Sequence, residues 1–252
     1  MHFWIPDIYE GSSWDIITVL STLPKISMIC VLLQILLNTN MILGFSLFSI
    51  IVGTLGALNQ TKLKRLLAYS GISHMGFIIL GYNILSNEGF MVSNLYLIIY
   101  TLTMISVFIL IINSSVDNQY VIELSGLKFI NKILSITFVL LILSIAGIPP
   151  LSGFISKWFL IWTSIEYKYN LSALVMILFS AIGAGYYLRI VKIIYFQKKS
   201  SYFLWKDILE HKDNYNDILF LTLGLFLFLT LFLLINFSSV VSIINWLIYS
   251  SF

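Results

Sequence analysis

The chain has 252 residues, of which 59% are hydrophobic and only 10% charged, whereas soluble domains carry roughly 25% charged residues. So much apolar surface cannot be hidden in a soluble core of this length, so the solvent of most of the chain is lipid. The net charge of +3 comes from basic residues in short connectors rather than on a shared face, which excludes a nucleic-acid-binding reading.

A single cysteine, Cys30, lies inside an apolar run and can form neither an internal disulfide nor a metal cluster. We therefore expect no redox centre, cofactor or metal in this chain. The opening MHFWIPDIYEG lacks a basic region followed by an apolar stretch, so no cleavable signal is expected and insertion relies on the spans themselves. Only six alanines accompany abundant Ile, Leu, Phe, Asn, Lys and Tyr, a bias that points to an A+T-rich genome such as an organellar one.

Apolar runs between polar punctuation predict spans over 13–37, 41–59, 66–85, 91–112, 130–165, 171–196 and 218–237, an all-α polytopic membrane protein of about seven crossings. In the first span Lys25 lies about 12 residues from either end, roughly 18 Å at 1.5 Å per residue. A lysine stem cannot carry its ammonium that far to water, and a charge at mid-helix costs about 2.5–3.5 kcal/mol even on insertion scales. In the third span His74 lies eight residues in, and its ordinary pKa of about 6.5 suits a proton relay. A hydrogen-bonded packing role accounts for it equally.

The fifth run is too long for one straight crossing and is interrupted at Gly147-Ile148-Pro149-Pro150, where proline removes backbone donors and forces the preceding residue out of helical geometry. Crossing once, it leaves nine basic residues on one side (Lys62, Lys64, Arg65, Lys128, Lys132, Lys198, Lys199, Lys206 and Lys212) and only Lys168 on the other. Crossing twice would destroy that asymmetry, so one broken helix is expected, with the connectors 59–65, 113–129 and 197–217 facing the matrix or cytoplasm. Lys157 follows seven residues after Pro150. It can act as a switchable amine, or it can be bonded structurally to carbonyls exposed at the break. Glu88, Asp117, Glu123 and Glu166 read as solvated connector residues. Tyr69 and the pair Tyr186-Tyr187 suit aromatic packing or the lining of a wet path. No phosphate loop, nucleophile triad or metal-ligand spacing is present.

Four stretches together carry a family resemblance: HFWIPDIYEG at 2–11, LPKIS at 23–27, LNQTKLKRLLAYSGISHMGF at 58–77 and LSIAGIPPLSGFISKW at 143–158. In order and spacing they resemble chain 2 of respiratory complex I, NADH:ubiquinone oxidoreductase. The resemblance implies an antiporter-like bundle of two inverted five-helix repeats, each with a broken helix. Residues 1–37 would end the first repeat, 41–196 form the second, and 218–252 supply a terminal helix and tail. It implies that Lys25, His74 and Lys157 belong to a hydrated axis coupling quinone reduction to proton movement. Other membrane-arm subunits and lipid are the implied partners, in the mitochondrial inner membrane or a bacterial plasma membrane. The family's earlier helices have no counterpart here, so a separately encoded polypeptide is expected to supply them. A structural subunit without pumping, or a subunit of a multisubunit cation/proton antiporter, is the alternative.

Overall fold

The computed structural model describes residues 4–34, 39–113, 120–130, 132–149 and 151–197, with residues 224 and 242 alone beyond them. The helices in chain order are α1 (Ile5–Gly11), α2 (Trp14–Gln34), α3 (Thr39–Leu58), α4 (Leu63–Asn83) and α5 (Asn87–Asn113). A 3-10 helix (Val121–Gly126) follows, then α6 (Leu127–Ile130), α7 (Lys132–Ala146), α8 (Ser152–Glu166) and α9 (Asn170–Phe196). The crossing expected at 218–237 lies outside the described residues, as does Pro150.

Among the described residues, four helices are long and apolar enough to cross a membrane: α3, α9, and the segments Trp14–Val31 of α2 and Asn87–Ile112 of α5. The less apolar α4 is enclosed by the others. It packs against α1, α2, α3, α5 and α8, and from Leu63 to Asn83 nearly every side chain is buried. Helices that share an apolar solvent associate through close packing rather than hydrophobic exclusion. Accordingly α3 presents Gly53 to α4 so closely that a Cβ there would lie 2.5 Å from the Ser73 nitrogen. The faces turned away, such as Ile16, Val19 and Leu23 on α2 and Leu171, Leu174 and Leu178 on α9, are exposed and apolar.

Two connectors and the end of α9 meet at one end of the bundle. The Val121 nitrogen donates to the Thr61 carbonyl at 2.9 Å, Lys62 and Tyr120 form an isolated antiparallel bridge, and Lys128 Nζ reaches the Tyr195 carbonyl at 3.5 Å. With 27 residues α9 is about 40 Å long, so the turn at 167–169 that precedes it is at the opposite end. The path from α6 through α7 and α8 to that turn therefore traverses the bundle once, interrupted in the middle.

Three acidic residues expected in connectors belong to helices, two of them through local hydrogen bonding. Helix α5 starts at Asn87, because Ser86 Oγ accepts from the Gly89 nitrogen and caps the helix, so Glu88 lies in its first turn. Glu123 belongs to the 3-10 helix, where its carboxylate accepts from the Tyr120 nitrogen. Glu166 ends α8.

Candidate functional site: a buried line of amines, imidazole and phenols

Lys25, His74 and Lys157 are 6%, 4% and 8% exposed, although lysine is almost never buried without a partner. They come from α2, α4 and α8, and each has a defined partner.

Lys25 follows Pro24, which stands inside α2 and leaves the Leu20 carbonyl without its helical donor. Its Nζ donates to Tyr100 Oη of α5 at 2.5 Å and lies 4.5 Å from the centre of the Tyr100 ring, a cation–π contact. The backbone of α4 comes close at Gly71, where a Cβ would sit 3.0 Å from Lys25 Nζ and 3.1 Å from Tyr100 Oη.

His74 Nδ1 is 2.7 Å from Tyr96 Oη and Nε2 is 3.3 Å from Tyr187 Oη. A neutral imidazole offers one donor and one acceptor, so one phenol donates to it and the other accepts. On protonation both nitrogens donate, and rotation of one hydroxyl accommodates the change. The Tyr100 ring lies 5.1 Å from the imidazole, centre to centre.

Lys157 extends from the second turn of α8 back to the break. Its Nζ donates to the carbonyls of Ile145 at 3.1 Å and Ala146 at 2.7 Å, two acceptors that the end of α7 leaves without helical partners. Gly147 has φ of +81° and its Cα faces the Lys157 stem, where a Cβ would lie 2.8 Å from Lys157 Cδ. The contacts are those of the structural alternative for this lysine, and they coexist with its place beside His74. Lys157, His74, Tyr96, Tyr100, Thr103 and Ser156 line a small cavity with room for roughly one water.

Of the residues singled out in the sequence, His74 and Lys157 thus share a cavity, and Lys25 joins them through Tyr100. Tyr187 bonds to His74, whereas the Tyr69 ring packs on Gly56 of α3. Tyr96 and Tyr100 were missed. Their spacing of four puts them on one face of α5, where Ser93 and Thr103, also buried, extend a stripe of hydroxyl-bearing residues at helical spacing that marks that face in the sequence. A second site lies outside the bilayer-crossing segments, where α1 is tied to the start of α4. There Arg65 Nη2 pairs with Asp7 at 2.8 Å, Arg65 Nε is 3.2 Å from Glu10, and Lys62 bonds to Glu10. The Lys62 bond is the main reason that the Glu10 carboxyl titrates below its ordinary range.

A bundle of long apolar helices with one broken crossing, enclosing a helix that carries ionisable groups in line with buried lysines, defines an antiporter-like membrane protein. Residues 1–185 match the family model described as NADH:quinone oxidoreductase/Mrp antiporter, transmembrane, and the chain belongs to that family. It is 38% identical over 245 residues to NADH-ubiquinone oxidoreductase chain 2 of Metridium senile, covering 97% of this chain and 64% of the relative. It is 36% identical to NADH-quinone oxidoreductase subunit N of Rickettsia prowazekii, covering 79% of this chain and 46% of that one. A chain in the structure of Thermus thermophilus respiratory complex I with bound aureothin superposes with a TM-score of 0.82 at 26% identity, over 96% of this chain and 54% of that one. The Mrp complex from Dietzia sp. DQ12-45-1b contains a chain of the same fold, with a TM-score of 0.73 at 23% identity, over 79% of this chain and 39% of that one. The chain spans about half to just under two thirds of the length of these curated relatives.

Proposed function

We propose that this chain moves protons through the membrane arm of an NADH:quinone oxidoreductase, with Lys25, His74 and Lys157 handing them on. Electron transfer is left to other subunits, and the chain carries no redox centre, cofactor or metal of its own. The supporting observation is the line of buried ionisable groups, in which Tyr100 bonds to Lys25 and lines a cavity with His74 and Lys157. An inert span would replace each lysine with an apolar residue and avoid about 2.5–3.5 kcal/mol. Amines that can lose and regain a proton, beside a small polar cavity, suit charge-coupled proton transfer driven by quinone reduction elsewhere in the enzyme.

The partners in this reading are the other membrane-arm subunits, lipid along the exposed faces of α3 and α9, and a separate polypeptide supplying the N-terminal helices. An apolar groove between α1, α2 and α4, lined by Trp4, Ile8, Tyr9, Pro24, Lys25 and Met28, favours that last partner. A helix seated there would exclude water from the Lys25 side. The relatives' names favour the mitochondrial inner membrane, with the bacterial plasma membrane as its counterpart.

The test is NADH-driven proton uptake or release by sealed vesicles carrying the assembled enzyme. Lys25→Ala and Lys157→Ala are expected to lower the protons moved per NADH. If both variants assemble and keep the wild-type ratio, a structural role replaces this reading. If the chain fails to migrate with NADH dehydrogenase activity on a native gel, the cation/proton antiporter reading replaces it. Peptides from a second polypeptide covering the N-terminal helices should be found in the same band.

A further inference from the structure

We infer that Tyr100 is a positioning residue that reports the protonation state of Lys25 to the cavity shared by His74 and Lys157, through the direction of its hydroxyl hydrogen. The inference rests on the proton path proposed above and adds a residue and a device to it.

Among the described residues, Tyr100 Oη is the hydrogen-bond partner of Lys25 Nζ, at 2.5 Å. Tyr100 also lines the cavity with His74, Ser156 and Lys157, so one side chain bonds to Lys25 and borders the cavity. An ammonium has three donors and no lone pair. While Lys25 is charged, the phenol must accept from it, and the phenol's own hydrogen turns away from Lys25, towards the cavity. A neutral amine has a lone pair and accepts better than a phenol oxygen. When Lys25 is neutral, the phenol hydrogen therefore turns back to Nζ and the cavity loses a donor.

A change of one proton at Lys25 thus adds or removes a hydrogen-bond donor beside His74 and Lys157. The phenol keeps its proton throughout, and no bond to hydrogen is broken at Tyr100. A donor pointing into a site that excludes bulk water favours a neutral amine or imidazole there over a charged one, because the cations have donors of their own and few lone pairs to offer. A charged Lys25 therefore disfavours a second charge in the cavity by more than its Coulomb field alone. Gly71 permits the short contact, since any Cβ at that position would press on both Nζ and Oη. The ring holds the hydroxyl in place: it lies tilted against His74, 5.1 Å between centres, with the Lys25 ammonium at its hydroxyl end, 4.5 Å from the ring centre.

Tyr100→Phe keeps the ring and both of its aromatic contacts and removes only the oxygen. In the assembled enzyme, with content checked on a native gel, the rate of NADH-driven proton movement should fall about tenfold, the equivalent of one hydrogen bond to a charged group. A fall smaller than about twofold, with Lys25→Ala still strongly impaired, would overturn the inference and leave the proton path standing. Wild-type rates and ratios in both variants would remove the path itself. If Tyr100→Phe does not assemble, the infrared spectrum of the unmodified enzyme decides. On addition of NADH a tyrosine C–O band should shift between its hydrogen-bond-accepting and hydrogen-bond-donating positions, and Lys25→Ala should abolish that shift. Its absence from the wild-type spectrum overturns the inference.

Discussion

Lys157 Nζ lies 2.7 Å from the carbonyl oxygen of Ala146, the last residue of α7, so the amine placed in the cavity also closes the helix that breaks in front of it. The two roles make different demands. Capping needs donors, whereas proton transfer needs a group that can lose one.

Lys157→Arg and Lys157→Met separate these demands. Arginine keeps several donors and stays charged at any working pH, so enzyme content on a native gel should be preserved while proton translocation is lost. Methionine orphans two buried carbonyls, at a cost of about 1–3 kcal/mol each, so both content and translocation should fall.

Gly147→Ala should destabilise the break while every ionisable residue stays in the sequence. A φ of +81° costs an L-residue about 1–2 kcal/mol, and the new Cβ would press on Lys157 Cδ at 2.8 Å. The expected result is a lower thermal midpoint for the assembled enzyme, measured by loss of the native-gel band after heating.

Lys168→Gly should act in the opposite direction. Lys168 has φ of +65° in the turn after α8, with its own nitrogen bonded to the Ile165 carbonyl and the Tyr169 nitrogen to the Ser164 carbonyl. In this Schellman arrangement glycine is preferred, and relief of the left-handed strain should raise stability by about 1 kcal/mol. The same heating assay should show a higher midpoint.

Acid should loosen α1 from α4. The Glu10 carboxyl is held below its ordinary pKa by the Lys62 bond, so its contribution is present above the unfolded value of about 4.3 and is lost as pH falls through the lower folded value. Amide hydrogen exchange in α1 should rise as pH falls through that window, after correction for intrinsic rates. Glu10→Gln should remove most of this dependence.

Sidedness follows from the shared end of the connectors. With Cys30 replaced by Ser, a cysteine at Asn59 should react with an impermeant maleimide from the matrix or cytoplasmic face, and one at Tyr167 from the opposite face. Reversed labelling would overturn the orientation drawn from the basic residues.

Much of the bundle was legible in local sequence. The apolar runs gave the crossings to within a few residues, and Gly147 to Pro149 marked the interruption, because backbone breaks follow from the residue types at the break itself. Lys25, His74 and Lys157 stood out because ionisable side chains are costly in lipid wherever they occur. The shifted starts were harder to see. The Ser86 cap of α5 and the Glu123 contact in the 3-10 helix are single hydrogen bonds, and polar residues in connectors form such bonds in some turns and not in others.

The sequence by itself determined that this is a polytopic helical membrane protein of the NADH:quinone oxidoreductase/Mrp antiporter family, with Lys25, His74 and Lys157 deep inside its spans. Only the tertiary structure decided that Lys25 meets Tyr100, 75 positions away, that Lys157 turns back to α7, and that His74 stands between two phenols. The reason lies in the solvent. In lipid both the inward and the outward faces of a helix are largely apolar, so although Ser93, Tyr96, Tyr100 and Thr103 mark the inward face of α5, its pattern does not say which helices that face meets. That choice belongs to packing against α4 and α8, where close approach at Gly71 and Gly147 leaves room for the amines.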